Sequence, residues 1–120
     1  MSTEVIKGDD YSVEYHPTTS QLFFRGTIRL QTTEDYVPVM ELMQKAHAGC
    51  AEGGTNLIMD FSHLEFLNSS GINAISKFVI ATRKEAKICI DVLGNKDIYW
   101  QQKSLQNLQK LWAKVTITIS

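Results

Sequence analysis

The sequence predicts an α/β protein whose mixed, largely parallel β-sheet follows the element order β-β-α-β-α-β-α-β. Three observations lead to this prediction. In the first part of the chain, apolar residues alternate with polar ones, as in strands. Further along, segments with apolar residues every three or four positions, as in helices, alternate with short apolar runs. No repeat, linker or low-complexity segment divides the chain. Single strands separated by helices imply right-handed crossovers, and we expect a single domain over residues 1–120.

The first two elements are predicted to be strands that pair as a hairpin. Residues 11–17 place Tyr11, Val13 and Tyr15 at alternate positions and stop at a proline. Residues 21–30 continue in the same style after a Thr-Thr-Ser turn. Gly26 lies inside this second strand, where a glycine indicates a β-bulge or a close backbone approach.

A helix is predicted next, followed by a buried strand. Thr32 or Thr33 is a suitable cap, the acidic residues after them complement the positive helix end, and Gly53-Gly54 ends the helix. The short apolar run over residues 55–61 is typical of a strand buried on both faces. One face of the helix carries the residues that recur every three or four positions: Val37, Met40, Met43, His47 and Cys50.

The remaining elements repeat this alternation. Residues 70–86 form a predicted helix, residues 87–94 a buried strand, residues 96–112 a glutamine-rich helix, and residues 114–120 a last strand with strict alternation. Whether the helices cover one face of the sheet or both stays open at this point. The expected inward residues of the second helix are Ile72, Ile75, Phe78, Val79 and Thr82, and those of the third are Ile98, Leu105, Leu108 and Leu111 or Trp112.

Composition excludes several classes of function. Apolar residues make up 43% of the 120 and charged residues 21%, which is ordinary for a globular protein. A formal net charge of −1 offers no general attraction for nucleic acid or an anionic membrane. Two cysteines give neither a disulfide framework nor metal-ligand spacing. No phosphate-binding or dinucleotide glycine pattern occurs, so we expect no cofactor and no metal. No apolar run approaches the roughly 20 residues that span a bilayer and the N-terminal residues lack a signal-peptide pattern, so we expect a cytoplasmic location.

The segment best suited to a functional site is Asn-Ser-Ser-Gly at residues 68–71, between an apolar strand and a helix. Carboxyl ends of parallel strands are where α/β sheets bind ligands. Asn68 and Ser69 are both suitable N-cap residues. Ser69 has three possible roles here: a helix cap, a nucleophile, or an acceptor of a phosphoryl group. The unpaired amides of Ser70, Gly71 and Ile72 and the positive helix end favour an anion such as phosphate, whereas capping alone requires only one hydroxyl.

A serine nucleophile has weaker support. It needs a neighbouring base and an orienting acid, and no G-x-S-x-G elbow is present. His47 is expected to pack beside the first helix and His63 to lie on a surface loop. An enzyme would therefore have to use Asp60, His63 and Ser69, and we expect no catalysis. Asp60 is more simply a turn cap than half of a carboxylate pair with Glu65.

The stretch "NLIMDFSHLEFLNSSGINAI" resembles the signature of STAS domains, in which an apolar strand ends in Asp and Asp-Ser-Ser/Thr-Gly opens a helix. The element order agrees with a STAS-like fold over most of the chain. The resemblance is to bacterial anti-sigma factor antagonists, regulators of transcription. It implies that a GHKL-type serine kinase, which doubles as the anti-sigma factor, phosphorylates the serine at position 69 and that a PP2C-type phosphatase removes the phosphate.

The resemblance implies a switch in signal transduction: the unphosphorylated surface binds the partner and phosphate on Ser69 releases it. Asn68 departs from the usual Asp of the signature. The chain also ends after the last predicted strand, where many family members add a C-terminal helix, so exposed apolar surface is expected to allow a homo-oligomer. The rival interpretation is a STAS-like scaffold or small-ligand sensor without phosphorylation. The implied partner contacts are Phe66, Leu67, Asn68, Ser70, Gly71 and Asn73.

Overall fold

The computed structural model describes residues 3–120, so Met1 and Ser2 of the predicted domain lie outside the described residues. No helix in this part of the chain is long and apolar enough to cross a bilayer. A short 3₁₀ turn, Glu34–Tyr36, precedes the first α-helix. The elements are β1 Glu4–Lys7, β2 Tyr11–His16, β3 Gln21–Ile28, α1 Val37–Gly53, β4 Leu57–Leu67, α2 Ser69–Glu85, β5 Ile90–Gly94, α3 Tyr99–Ser104, α4 Gln106–Leu111 and β6 Val115–Ile119.

The six strands form one sheet in chain order, β1 to β6. The first three pair antiparallel, and β3 to β6 run parallel. Every parallel crossover steps to the next strand in the same direction, and since such crossovers are right-handed, all helices lie on the same face of the sheet. Alternate side chains along β2, β3 and β4 are accordingly buried under the helices. Phe24 and Phe61 stack there with ring centroids 4.6 Å apart.

The predicted α/β class with a STAS-like mixed sheet is confirmed, but the predicted element order is wrong in two places. The strand β1 was not predicted; it has only four residues and holds its place by antiparallel pairing with β2. The predicted third helix is divided into α3 and α4. At the division the Leu108 amide donates to the Leu105 carbonyl, a tight i→i−3 bond that interrupts the α-helical pattern.

The inward face of α2 is largely as predicted, whereas that of α1 is rotated. Ile75, Phe78, Val79 and Thr82 are buried, and Ile72 is half-buried. On α1, Met43 and Cys50 are buried as predicted, but Val37 is 45% exposed. The helix contacts both the sheet and α2, so no single stripe describes its contacts. Its other buried residues are Val39, Leu42 and Ala46, while Met40 and His47 line the groove shared with α2.

The strand β4 runs to Leu67, six residues beyond its predicted end at Phe61. Its pairing with β3 steps from Phe23–Asp60 to Arg25–His63, so β4 has one extra residue at this point, a β-bulge. His63 is exposed, as predicted, but lies in the strand rather than in a loop. The predicted irregularity at Gly26 is also present: its φ is +85° and the pairing shifts beside it.

Candidate functional site at the carboxyl edge of the sheet

The parallel strands bring the starts of three helices to one edge of the sheet. The chain leaves β3 and enters α1 through the turn at Tyr36, leaves β4 and enters α2 at Asn68, and leaves β5 to enter α3 at Tyr99. We call this region the carboxyl edge and define it by Val37, Phe66, Asn68, Ser69 and Tyr99. The strand order does not reverse anywhere along the parallel part of the sheet, so the crevice of a topological switch point does not form here.

Asn68 holds the start of α2 with both ends of its side-chain amide. Its Oδ1 accepts a hydrogen bond from the Gly71 amide at 3.0 Å and another from the Tyr36 hydroxyl at 2.5 Å. Its Nδ2 donates to the Leu30 carbonyl at 2.8 Å, and its backbone amide donates to the Ile28 carbonyl. Asn68 is therefore the N-cap of α2 and also ties that helix to the segment after β3.

The partners of Asn68 fix the orientation of its amide. If the amide were flipped, Oδ1 would face the Leu30 carbonyl oxygen, so two hydrogen-bond acceptors would meet. The NH₂ group would face the Gly71 amide, so two donors would meet. Burial raises the pKa of Tyr36 above the ordinary tyrosine value. The Tyr36 hydroxyl therefore stays protonated at physiological pH and remains available as a donor to Asn68.

Gly71 is required by a close approach between elements. A Cβ atom at this position would lie 2.7 Å from the Tyr36 hydroxyl oxygen and would overlap the Leu67 side chain. Gly71 is itself buried. The space beside Gly71 is thus occupied by Tyr36 and Leu67, and any phosphate would have to lie on the solvent side of the helix start.

Ser69 occupies the first turn of α2 with an exposed side chain. The possibility that Ser69 caps the helix is wrong, because the cap is Asn68. The amides of Gly71 and Ile72, predicted to be free donors, are bonded to Asn68 Oδ1 and the Asn68 carbonyl. Within residues 3–120, neither the Ser69 hydroxyl nor the Ser70 amide makes a hydrogen bond.

The grouping of Asp60, His63 and Ser69 is not assembled as a catalytic triad. Asp60 Oδ1 accepts from the amide and the hydroxyl of Ser62, at 2.9 and 2.5 Å, so its carboxylate stabilises the β-bulge in β4. His63 pairs opposite Arg25 on the neighbouring strand. No hydrogen bond connects Ser69 to a histidine in the described chain. Across the same residues there is also no group of three His, Cys, Asp or Glu residues suited to a metal ion.

The carboxyl edge carries most of the large hydrophobic side chains that are exposed in residues 3–120. Four large hydrophobic side chains are exposed in residues 3–120, and Val37, Phe66 and Tyr99 belong to this edge. Phe66 is 45% exposed and Tyr99 77% exposed. Trp100, half-buried beside them, donates its indole N–H to the Glu65 carbonyl at 2.8 Å and so holds α3 against the end of β4. Exposed apolar side chains on one side of a protein are a feature of protein interaction sites.

The residues predicted to contact a partner divide by exposure. Phe66 and Asn73 are exposed, Asn68 and Ser70 are half-buried, and Leu67 and Gly71 are buried. Leu67 and Gly71 therefore pack inside the site, and contact with a partner stays a prediction for the others. Sequence reasoning missed Tyr36, Val37, Tyr99 and Trp100. The available signal was topological, because the helices that follow parallel strands all begin at the same edge of the sheet.

Comparison with solved structures supports the architecture. The chain resembles SiaC of Pseudomonas aeruginosa, with a TM-score of 0.72 and 15% identity over all of both chains. The apo-SiaC structure gives 0.74 and 17%, covering 100% of this chain and 99% of the other. A third match, at 0.73 and 13%, covers 98% of this chain and 99% of a chain in the complex of the diguanylate cyclase SiaD with its activator SiaC. No protein-family model and no curated protein matches the sequence.

Proposed function

We propose that this protein is a protein-binding switch in a bacterial signalling pathway, controlled by phosphorylation of Ser69. The proposal depends on one observation at the start of α2: the residue that caps the helix is not the residue that would be phosphorylated. Asn68 supplies the cap, so the exposed Ser69 hydroxyl has no structural bond to lose within the described chain when it is modified. The resemblance of the Asn-Ser-Ser-Gly segment to the STAS signature supports phosphorylation of Ser69. The likeness to SiaC, the activator in the complex with SiaD, supports binding of a protein partner.

The switch operates through charge and desolvation. In the unmodified state the partner covers the apolar side chains of the carboxyl edge, among them Phe66. A phosphate on Ser69 adds about −1.5 to −2 charges next to this surface. The start of α2 tolerates that charge in the free protein because the positive end of the helix lies there. Within the complex the same dianion must be desolvated against apolar groups, and the partner is released.

The candidate partners come from the resemblance to STAS domains and from the structural similarity to SiaC. The STAS resemblance implies a GHKL-type kinase that also acts as an anti-sigma factor, together with a PP2C-type phosphatase. The SiaC likeness adds a diguanylate cyclase as a candidate for the regulated protein, since SiaC is the activator of the cyclase SiaD. In this proposal the chain binds and releases partners in the cytoplasm and catalyses no reaction itself.

Two measurements test the proposal together. Phosphosite mapping by mass spectrometry on protein from its native cells is expected to find phosphate on Ser69. Tagged Ser69→Ala and Ser69→Glu variants are then used to capture partners from the same cells, with quantification by mass spectrometry. We expect the alanine variant to retain the partner and the glutamate variant to retain about tenfold less, a difference of about 1.4 kcal/mol in binding.

Thr18→Ala and Thr18→Glu are the matched controls, since they make the same changes at another exposed hydroxyl, in the turn between β2 and β3 at the opposite end of the strands. Both are expected to behave as the wild type. Equal capture by Ser69→Ala and Ser69→Glu, with Ser69 unmodified across growth and stress conditions, would contradict the switch. That result would favour the alternative, a STAS-like scaffold or ligand sensor that binds its partners constitutively.

A further inference from the structure

Within residues 3–120, the edge strand β6 carries none of the charges or ion pairs that are present on β1 at the opposite edge of the sheet. β1 has four residues, among them Glu4 and Lys7, and Glu4 is bonded to Lys45 of α1. β6 has the sequence Val-Thr-Ile-Thr-Ile, with no charge, no proline and regular pairing to β5 along its length. Natural sheets usually blunt their edges with charges, prolines or bulges, because an open edge is a template for another strand.

The hydrogen bonds at the end of β6 show which of its backbone groups face the open edge. The Ser120 amide donates to the Gly94 carbonyl, and the Ser120 carbonyl accepts from the Lys96 amide, so both groups of Ser120 point toward β5. The Lys114 carbonyl likewise accepts from the Ile90 amide on the β5 side. Backbone direction alternates along a strand. The amides and carbonyls that point away from β5 are therefore those of Val115, Ile117 and Ile119. The Val115 amide already donates to the Trp112 carbonyl, so the open groups are the Val115 carbonyl and both groups of Ile117 and Ile119.

We propose that β6 pairs with β6 of a second copy of this chain, antiparallel and about a two-fold axis at Ile117. In this register Ile117 faces Ile117 of the other copy, and Val115 faces its Ile119. The Ile117 pair exchanges both backbone bonds, as residues in hydrogen-bonded positions of an antiparallel ladder do. The Ile119 amide of each copy donates to the Val115 carbonyl of the other. The two sheets then form one continuous sheet with all helices on the same face.

The side chains of β6 match this register. On the helix-covered face, the half-buried Ile117 and Ile119 gain apolar neighbours from the other copy. On the open face, the exposed Thr116 lies opposite Thr118 of the second copy, a favourable cross-strand pair. Lys114 falls opposite Ser120, so no like charges meet.

The nearly palindromic sequence of β6 is the reason to choose a second copy as the occupant. Reading Thr-Ile-Thr in either direction around Ile117 gives the same residues, and a two-fold interface requires such self-complementarity. An unrelated extended segment would satisfy the backbone equally well but would not need the Thr-Ile-Thr symmetry. The inference concerns a different edge from the carboxyl edge and is independent of the proposed switch.

The test uses charges on the exposed face of β6 and measures mass by sedimentation equilibrium. We expect the wild type to reach twice the monomer mass with rising concentration. Thr116→Lys/Thr118→Lys places lysine opposite lysine and is expected to weaken dimerisation about tenfold, and Thr116→Glu/Thr118→Glu to do the same. Mixing these two variants is expected to restore a dimer of one copy of each, since every facing pair is then of opposite charge.

The matched control is Thr18→Lys/Thr19→Lys, which adds the same charge at the turn between β2 and β3 and is expected to dimerise like the wild type. Circular dichroism checks that each variant is folded. If a double variant does not fold, mixing Thr116→Lys with Thr118→Glu tests one facing pair. A wild type that stays monomeric up to millimolar concentration overturns the proposal. So does a dimer that the lysine variant leaves intact, or a charge-swapped mixture that does not pair.

Discussion

At the scale of single residues, Asn68 explains why an amide rather than a carboxylate stands in the Asn-Ser-Ser-Gly segment. A carboxylate could accept from Gly71 and Tyr36 as Asn68 does. It has no donor for the Leu30 carbonyl, which lies 2.8 Å from Asn68 Nδ2. The segment after β3 thus brings the Leu30 carbonyl next to position 68, and this carbonyl explains the departure from the usual Asp of the STAS signature.

Asn68→Asp is expected to lower the free energy of unfolding by about 1–2 kcal/mol at neutral pH. The variant loses the bond to the Leu30 carbonyl and turns a carboxylate oxygen toward that oxygen. A favourable interaction with the positive start of α2 offsets part of this loss. Urea denaturation of both proteins measures the difference. The control is Asn73→Asp at an exposed position of α2, which should change stability by no more than about 0.5 kcal/mol; an equally small effect at Asn68 contradicts the explanation.

At the scale of elements, the close approach of α2 to the turn before α1 depends on Gly71. Replacing a glycine by alanine inside a helix normally stabilises it by about 1 kcal/mol. At Gly71 the added methyl would meet the Tyr36 hydroxyl at 2.7 Å and overlap Leu67. Overpacking of this kind generally costs about 1–3 kcal/mol, and we expect it to outweigh the gain in helix propensity.

Gly71→Ala is therefore expected to destabilise the protein, whereas Gly53→Ala is expected to leave it unchanged or slightly more stable. Gly53 is the last residue of α1, and a Cβ atom there would meet nothing within 4 Å. Thermal unfolding of the two variants beside the wild type provides the measurement. If the two variants shift the melting temperature in the same direction, the contacts with Tyr36 and Leu67 are not the reason that position 71 requires glycine.

At the scale of the whole molecule, Gln101 connects three segments in the interior. Its side chain is fully buried. Nε2 donates to the Phe61 and Leu64 carbonyls of β4, at 2.6 and 2.9 Å, and Oε1 accepts from the Asn95 amide after β5 at 2.7 Å. These bonds satisfy backbone groups where β4 is irregular and fasten α3 to the sheet.

Gln101→Leu is expected to cost about 2–5 kcal/mol of unfolding free energy, because it leaves buried backbone groups of Phe61, Leu64 and Asn95 without this partner. Gln109→Leu on the exposed side of α4 is the control and should change stability by no more than about 0.5 kcal/mol. The two variants are compared by guanidinium denaturation. A loss at Gln101 no larger than at Gln109 would show that those backbone groups find other partners.

Elements with a local pattern could be predicted from the amino-acid sequence. Alternation predicted β2 and β3, helical spacing predicted α2 and most of its buried face, and the turn-bounded apolar runs predicted β4 and β5. The chemistry of residues 68–71 also pointed to the start of α2, since caps and small residues act over a few positions of chain. β1 was not predicted, because its four residues combine charged and apolar side chains and form a strand only through pairing with β2.

Features that depend on residues far apart in the chain could not be predicted and became visible in the folded structure. The one-sided helix layer follows from the order of all six strands, the rotated face of α1 from its joint packing on the sheet and α2, and the burial of Gln101 from carbonyls 37 and 40 residues away. Most directly, Asn68 rather than Ser69 caps α2 because Leu30 and Tyr36 are brought to it by the pairing of β3 with β4. A cap is a local motif, but the choice between neighbouring candidates is made by non-local hydrogen bonds.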